Sequence, residues 1–180
     1  MKIYQDKLIQ IAKEAGEKVM AIYSDPGMSN VVDYKSDDSP LTSADKASHQ
    51  VIVDQLSKLY PDMPVISEEG ELPEYSVRKN YDYYWLIDPL DGTKEFINRN
   101  GQFTVNIALI HNHHSIFGIV YAPVKEELYL GNVESQLAFK EAKSGRITLK
   151  VNNKDTNRVA VRSKSHASNE EETILSRFGV

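Results

Sequence analysis

The segment Trp85-Leu86-Ile87-Asp88-Pro89-Leu90-Asp91-Gly92-Thr93-Lys94-Glu95-Phe96 joins an apolar run to two acids three positions apart and a Gly-Thr pair. Carboxylates on a stiff proline corner can share hard divalent cations, which prefer carboxylate, carbonyl and water oxygens. The Leu90 carbonyl, lying between the two acids, can point into the same site. A helix opening at Gly92-Thr93 adds free backbone N–H groups and a positive dipole end beside them. Cation and anion sites side by side are what a metal-dependent phosphate enzyme needs. Asp-Pro-x-Asp-Gly is also ordinary turn chemistry, and that reading stands beside the first.

The elements that must position these residues follow from periodicity. Ile3, Leu8, Ile11, Ala12, Ala15, Val19, Met20 and Ile22 recur at helical spacing over 3–23, and Ser24-Asp25-Pro26-Gly27 ends that run. Val31 to Tyr34 reads as extended and Lys35 to Pro40 as a polar turn. A second helix is expected from Thr42 or Ser43 to Leu59, with Ser48 and His49 on its flanks and Tyr60-Pro61-Asp62 as its stop. Short buried strands are expected over 64–67 and 84–87. The first runs into Glu68, and the second stops at Asp88. Residues 72–84 read as a surface excursion. Runs at 104–110 and 115–121, joined by His111-Asn112-His113-His114, read as a hairpin. Further strands fit 127–131, 136–140, 146–151 and 159–161, and a helix fits 167–178 with Ile174, Leu175 and Phe178 on one face. Two helices followed by many strands, with crossing connections, imply α+β layers around a largely antiparallel sheet.

Bulk properties narrow the function classes. A chain of 180 residues, 41% hydrophobic and 26% charged, has enough material for a real core. Without cysteine there is no disulfide, thiolate zinc site or cysteine nucleophile. A net charge of −5 argues against nucleic-acid binding. No apolar run reaches transmembrane length and the first residues lack a signal-peptide core, so a cytoplasmic address is the default expectation. No EF-hand loop, Walker A sequence or Rossmann fingerprint occurs.

Three separated segments agree in order and spacing: Pro40-Leu41-Thr42-x-x-Asp45, Ser67-Glu68-Glu69, and Trp85-x-x-Asp88-Pro89-x-Asp91-Gly92-Thr93-x-x-Phe96. Together they resemble the inositol monophosphatase superfamily of magnesium-dependent, lithium-sensitive phosphatases. Lys35-Ser36-Asp37-x-Ser39-Pro40, Asp91 to Phe96, and Arg99-Asn100-Gly101-x-Phe103-Thr104-Val105-Asn106 to Ile110 resemble its 3'(2'),5'-bisphosphate nucleotidase type. The resemblance implies a layered αβαβα sugar-phosphatase-like fold and two or more Mg²⁺ ions. It implies that Glu68, Asp88, the Leu90 carbonyl and Asp91 hold metal. Glu68, Asp45 and Thr93 would be catalytic, Asp45 and Thr93 by orienting the attacking water. Gly92 and Thr93 amides would hold phosphate, with Lys94, Ser165 and His166 toward the substrate and Lys35 near the metal edge. The implied reaction converts adenosine 3',5'-bisphosphate to AMP and phosphate, with 3'-phosphoadenylyl sulfate as a second substrate. That places the chain in sulfur metabolism or nucleotide recycling, in the cytoplasm, with peripheral attachment to the inner membrane as a variant.

The bland readings remain open: Lys94-Glu95 as a solvated helix face, Ser165-His166 as a capped loop, the histidine cluster as a hairpin tip, and Tyr81, Tyr83 and Tyr84 as sheet-edge cover rather than a nucleobase platform. Against the family pattern the chain is expected to be C-terminally truncated. Residues 1–157 would form the metal- and phosphate-binding half and 158–180 the start of a second α/β half. A Trp-Asp-x-Ala-type segment, whose aspartate completes the second metal site, has no match in 167–180. The competing expectations are an inositol or sugar phosphate phosphatase, a non-catalytic cation- and nucleotide-binding module, and a plain structural fragment.

Overall fold

The computed structural model describes residues 2–25, 32–34, 40–151, 160–161 and 169–177. The chain divides into two compact units, Met1–Leu149 and Lys150–Val180. The first contains α1 (Gln5–Tyr23), β1 (Val32–Tyr34), β2 (Pro40–Thr42), α2 (Ser43–Leu59), β3 (Val65–Ser67), α3 (Tyr75–Arg78), β4 (Tyr83–Asp91) and α4 (Thr93–Ile97). It continues with β5 (Thr104–His111), β6 (His114–Ala122), β7 (Glu127–Asn132), β8 (Leu137–Ala142) and β9 (Gly145–Thr148). The second unit holds α5 (Asn169–Arg177), on which Ile174 is exposed and Leu175 half-buried. Phe178, Val159 and the division expected at 157/158 lie outside the described residues, while Ala160 and Val161, expected in a strand, are in none.

Seven strands form one sheet in the order β3-β4-β5-β6-β7-β8-β9. β3 and β4 are parallel and every later pair is antiparallel. The α+β class therefore holds, while the expected crossing connections reduce to the single β3-to-β4 link; from β4 onward the sheet is a meander. The histidine hairpin is confirmed. His111 pairs with His114, and Asn112 and His113 take positive φ of 47° and 65°. Two left-handed residues twist a two-residue turn to match its strands. β2, unforeseen in the turn-rich stretch before Thr42, pairs antiparallel with β1.

Helices α1 and α2 pack on each other and on one face of β3 to β6. Period-two alternation decides which strand residues meet them. Trp85 and Ile87 on β4, Val105, Ile107 and Leu109 on β5, and Phe117 and Ile119 on β6 all join the buried cluster. Their neighbours Leu86, Asp88, Asn106, Ala108 and Val120 line a hollow of about 600 Å³ on the outer face. The alternation thus delivers Asp88 to the side away from the helical core. Among the described residues no helix is long and apolar enough to cross a membrane.

The α1–β6 contact sets a tight limit at Gly16. A Cβ there would lie 2.8 Å from Tyr121 Cδ1 and 3.3 Å from Pro123 Cβ, and the Tyr121 ring is itself 8% exposed. Gly16→Ala gains helix propensity of about 1 kcal/mol. Overpacking of about 1–3 kcal/mol opposes that gain. The expected outcome in a urea titration is a midpoint at or below that of the wild type; a clear increase would contradict the packing.

Candidate active site

The end of β4 breaks its own alternation. Asp88 is half-buried, Pro89 and Leu90 are both buried, and Asp91 is exposed. The β4–β5 register shifts between Asp88 and Asp91. Proline has no N–H for the ladder, so an irregularity is its expected place in a sheet. The strand runs on to Asp91 rather than stopping at Asp88. Leu90 N–H bonds to Asp88 Oδ1 at 3.2 Å, an Asx-type contact that orients the acid. The Pro89 carbonyl is secured from across the core, where the fully buried Ser48 hydroxyl of α2 donates to it at 2.7 Å. Ser48, expected on a helix flank, is therefore a buried anchor of the acidic corner.

Beyond the corner, Gly92 sits at φ 93°, a left-handed conformation suited to glycine. A Cβ at this position would approach Gln102 O to 2.9 Å. α4 follows for only one turn, held down by the buried Phe96, which stands 5.3 Å from Phe103 and 5.2 Å from Tyr23 between ring centroids. Lys94 is exposed on this turn and Glu95 half-buried beside it.

Thr93 opens the turn, and its hydroxyl lies 3.3 Å from Asp45 Oδ1 and 3.2 Å from Leu90 O. One hydroxyl proton can serve only one of those acceptors at a time. Asp45 is 1% exposed. Its Oδ2 accepts the Thr42 amide at 2.7 Å and the Thr42 hydroxyl, closing a capping box at the start of α2. Burial raises the Asp45 pKa, while its bonds with Thr42 and Thr93 pull in the other direction. The one carboxyl thus caps a helix with Oδ2 and faces Thr93 with Oδ1.

Glu68 follows β3, and its amide donates to Ile87 O at 3.1 Å, which sets it beside Asp88 across the parallel pair. Burial, followed by the Glu68 and Asp91 charges, raises the Asp88 pKa to about 7, and Asp88 shares a hydrogen bond with Glu68. Of the three acids expected from the sequence, Asp88 therefore stands within electrostatic reach of both Glu68 and Asp91 on one edge. Among the described residues, however, no three His, Cys, Asp or Glu side chains close around one point as a ready-made cage. The donors present are hard oxygens, and a proton occupies ground where negative charge is in excess. That combination fits a hydrated Mg²⁺-like cation, which keeps several waters and needs few protein ligands.

Two contacts had no signal in the local sequence. His49 Nδ1 lies 2.7 Å from Ser67 Oγ, next to Glu68, and Asn106 Nδ2 donates to Asp91 Oδ2 at 3.2 Å. Asp45, Ser48 and His49 occupy one face of α2 at the i, i+3, i+4 spacing of helical neighbours, a pattern that looks like ordinary amphipathicity without the fold. Lys35, Ser165 and His166 lie outside the described residues. The histidine cluster is not part of the site: His111 stacks on Tyr83 with centroids 4.0 Å apart and lies 3.3 Å from Asp82. Tyr81 and Tyr83 line a separate hollow with residues 59–64.

The raised Asp88 pKa has a definite sign. The folded chain keeps this proton up to about pH 7, whereas the unfolded chain releases it near 3.8. Stability therefore falls as pH rises between those values, and the loss is complete above about 7. Asp88→Asn removes the titration. The cation-free variant is expected to be more stable than wild type at pH 8 by about 1–2 kcal/mol, because exposure of the partner acids screens the rest. The gain should vanish toward pH 4 in paired thermal melts; equal melting curves at pH 8 would refute the repulsion.

Residues 4–178 match the inositol monophosphatase family. The chain is 45% identical over 174 residues to the 3'(2'),5'-bisphosphate nucleotidase CysQ of Escherichia coli (strain K12), covering 97% of this chain and 69% of that protein. CysQ of Salmonella typhimurium is 43% identical over 176 residues, with the same coverage. Among solved structures, CysQ from Bacteroides thetaiotaomicron superposes with a TM-score of 0.79 at 39% identity, over 96% of this chain and 66% of that one. The chain spans about two thirds of the length of these relatives. An acidic corner closing a mixed sheet, a threonine held by a buried aspartate and these likenesses agree: the chain belongs to the inositol monophosphatase family, on its CysQ-type branch.

Proposed function

We propose that this chain carries the cation- and phosphate-binding machinery of a phosphomonoesterase that removes the 3'-phosphate of adenosine 3',5'-bisphosphate, giving AMP and phosphate. One observation carries the reading. The Asp88 carboxyl, under the charges of Glu68 and Asp91, lines an open hollow, and five positions further along the same corner Thr93 turns its hydroxyl to the buried Asp45 carboxylate. The nucleotide assignment is supported by the CysQ relatives, which carry the name 3'(2'),5'-bisphosphate nucleotidase. 3'-Phosphoadenylyl sulfate, which bears the same 3'-phosphate, is a second candidate substrate.

Glu68, Asp88, Asp91 and the Leu90 carbonyl are the groups that would hold Mg²⁺. When bound, the cation supplies charge neutralisation at the phosphate and lowers the pKa of water from about 15.7 toward 7. Lithium inhibition is the corresponding expectation. The chain's own residues do the positioning. With its proton directed to Asp45 Oδ1, Thr93 leaves its lone pairs to accept from an attacking water, so the water is aligned and its proton has a path to a base. Thr93 has no basicity of its own. Asp45 supplies it: Thr42 engages Oδ2, so Oδ1 remains to receive the proton. The water oxygen bonds to phosphorus, the bond from phosphorus to the 3'-oxygen breaks, and the departing oxygen takes a proton from solvent. The Gly92 and Thr93 amides, at the start of α4, are the groups that would cradle the phosphoryl oxygens.

Phosphate release from adenosine 3',5'-bisphosphate, measured with and without Mg²⁺, tests the reading, with an inositol phosphate as the competing substrate. Turnover that requires Mg²⁺ and prefers the nucleotide is expected; preference for the inositol ester would overturn the nucleotide assignment. Thr93→Ala should lower kcat about 10²-fold or more while leaving Mg²⁺ affinity in place, and Thr93→Ser should restore most of the rate. Because cation must displace the Asp88 proton, which is held to about pH 7, Mg²⁺ affinity measured by titration calorimetry should fall about fivefold from pH 7 to pH 6.

A further inference from the structure

Asn106 stands on β5 directly opposite Asp88 in the β4–β5 register, and on the outer face of the sheet. Its Nδ2 donates to Asp91 Oδ2 at 3.2 Å, across the irregular end of β4. The other half of its amide is buried, and Oδ1 has no hydrogen-bond partner among the described residues. Turning the amide over would set Oδ1 against the Asp91 carboxylate, so the charge of Asp91 dictates the orientation. An unmet buried acceptor destabilises the fold, whereas an aliphatic side chain of the same shape would carry no such burden. The amide is thus a poor choice for stability and a good one for aiming Asp91.

Asp91 has particular need of such a restraint. It is exposed, it follows the two-residue irregularity at Pro89-Leu90, and it precedes a glycine in a left-handed conformation. Once Asp88 gives up its proton, its carboxylate repels that of Asp91. A free carboxylate there would rotate away from the other acids toward water. The Asn106 amide opposes that rotation from a rigid central strand, and a charge-assisted bond is stronger than a neutral one.

We infer that Asn106 is a positioning residue that holds the Asp91 carboxylate toward the cation side of the acidic edge, at the expense of fold stability. The inference rests on the cation-site reading above. It assigns Asn106 a role through Asp91, without contact to substrate.

The test compares wild type, Asn106→Leu and Asp91→Asn in the full chain by two readouts: Mg²⁺ titration calorimetry at pH 8 and the melting temperature of the cation-free protein. Asn106→Leu is expected to weaken Mg²⁺ binding about tenfold, the loss of one hydrogen bond to a charged group, while melting at or above the wild-type temperature. A residue that merely packs the strand would do the reverse, lowering the melting temperature and leaving Mg²⁺ affinity unchanged. Either a lower melting temperature with unchanged affinity or an affinity within twofold of wild type overturns the inference. Should leucine not fit, Asn106→Ala removes the same amide without adding bulk and is read by the Mg²⁺ affinity alone. The two readings fail separately. If wild type binds no Mg²⁺ the cation site itself falls, and this inference with it. If wild type and Asp91→Asn differ but wild type and Asn106→Leu do not, only the role of Asn106 falls.

Discussion

The acidic edge depends on one mechanical fact: the irregular end of β4 is bolted to α2. Asp88 and Asp91 flank a proline that cannot take part in the strand ladder, in a segment carrying two like charges. Left to itself, such a segment would move outward into water. The buried Ser48 hydroxyl grips the Pro89 carbonyl, Pro89 is itself buried, and the Leu90 side chain joins the core. Burial of apolar surface on one side thereby sustains charge crowding on the other.

That arrangement explains why α2 matters beyond its packing. Three of its side chains each reach a different part of the edge. Asp45 faces Thr93, Ser48 holds Pro89, and His49 meets Ser67 just ahead of Glu68. A helix is rigid over one turn, so the three contacts fix three chain segments relative to one another. The parallel β3–β4 pair supplies the remaining constraint by bringing Glu68 level with Asp88. The crowding then shows as chemistry. The Asp88 carboxyl holds a proton to about pH 7, far above a free aspartate. The cation proposed for this edge would have to displace that proton.

Double use of side chains is a second theme. Asp45 ends a helix and faces a hydroxyl with the same carboxyl; Thr42 is both cap and hydrogen-bond donor to that acid. Substitutions at these positions therefore mix structural and chemical effects, whereas Thr93 and Asn106 separate them better. Thr93 lies on a one-turn helix whose packing rests on Phe96, and Asn106 carries an unmet acceptor that its removal relieves.

Much of this was determined locally and was therefore legible in the amino-acid sequence. The apolar run Tyr84 to Ile87 located the middle of β4, the helical spacing from Leu8 to Val19 located α1, and the acids, proline and Gly92 marked the corner, because each signal lies within a few bonds of what it dictates. The family likeness named Asp45 and Thr93 in advance, and the structure brings the two together. What the chain order alone could not decide are meetings between distant segments: Ser48 with Pro89 across 41 positions, His49 with Ser67 across 18, Asn106 with Asp91 across 15. Those depend on which strands pair, in which register, and how α2 lies on the sheet. The protonation of Asp88 was hidden for the same reason, since burial and neighbouring charge belong to the folded surroundings and not to the residue.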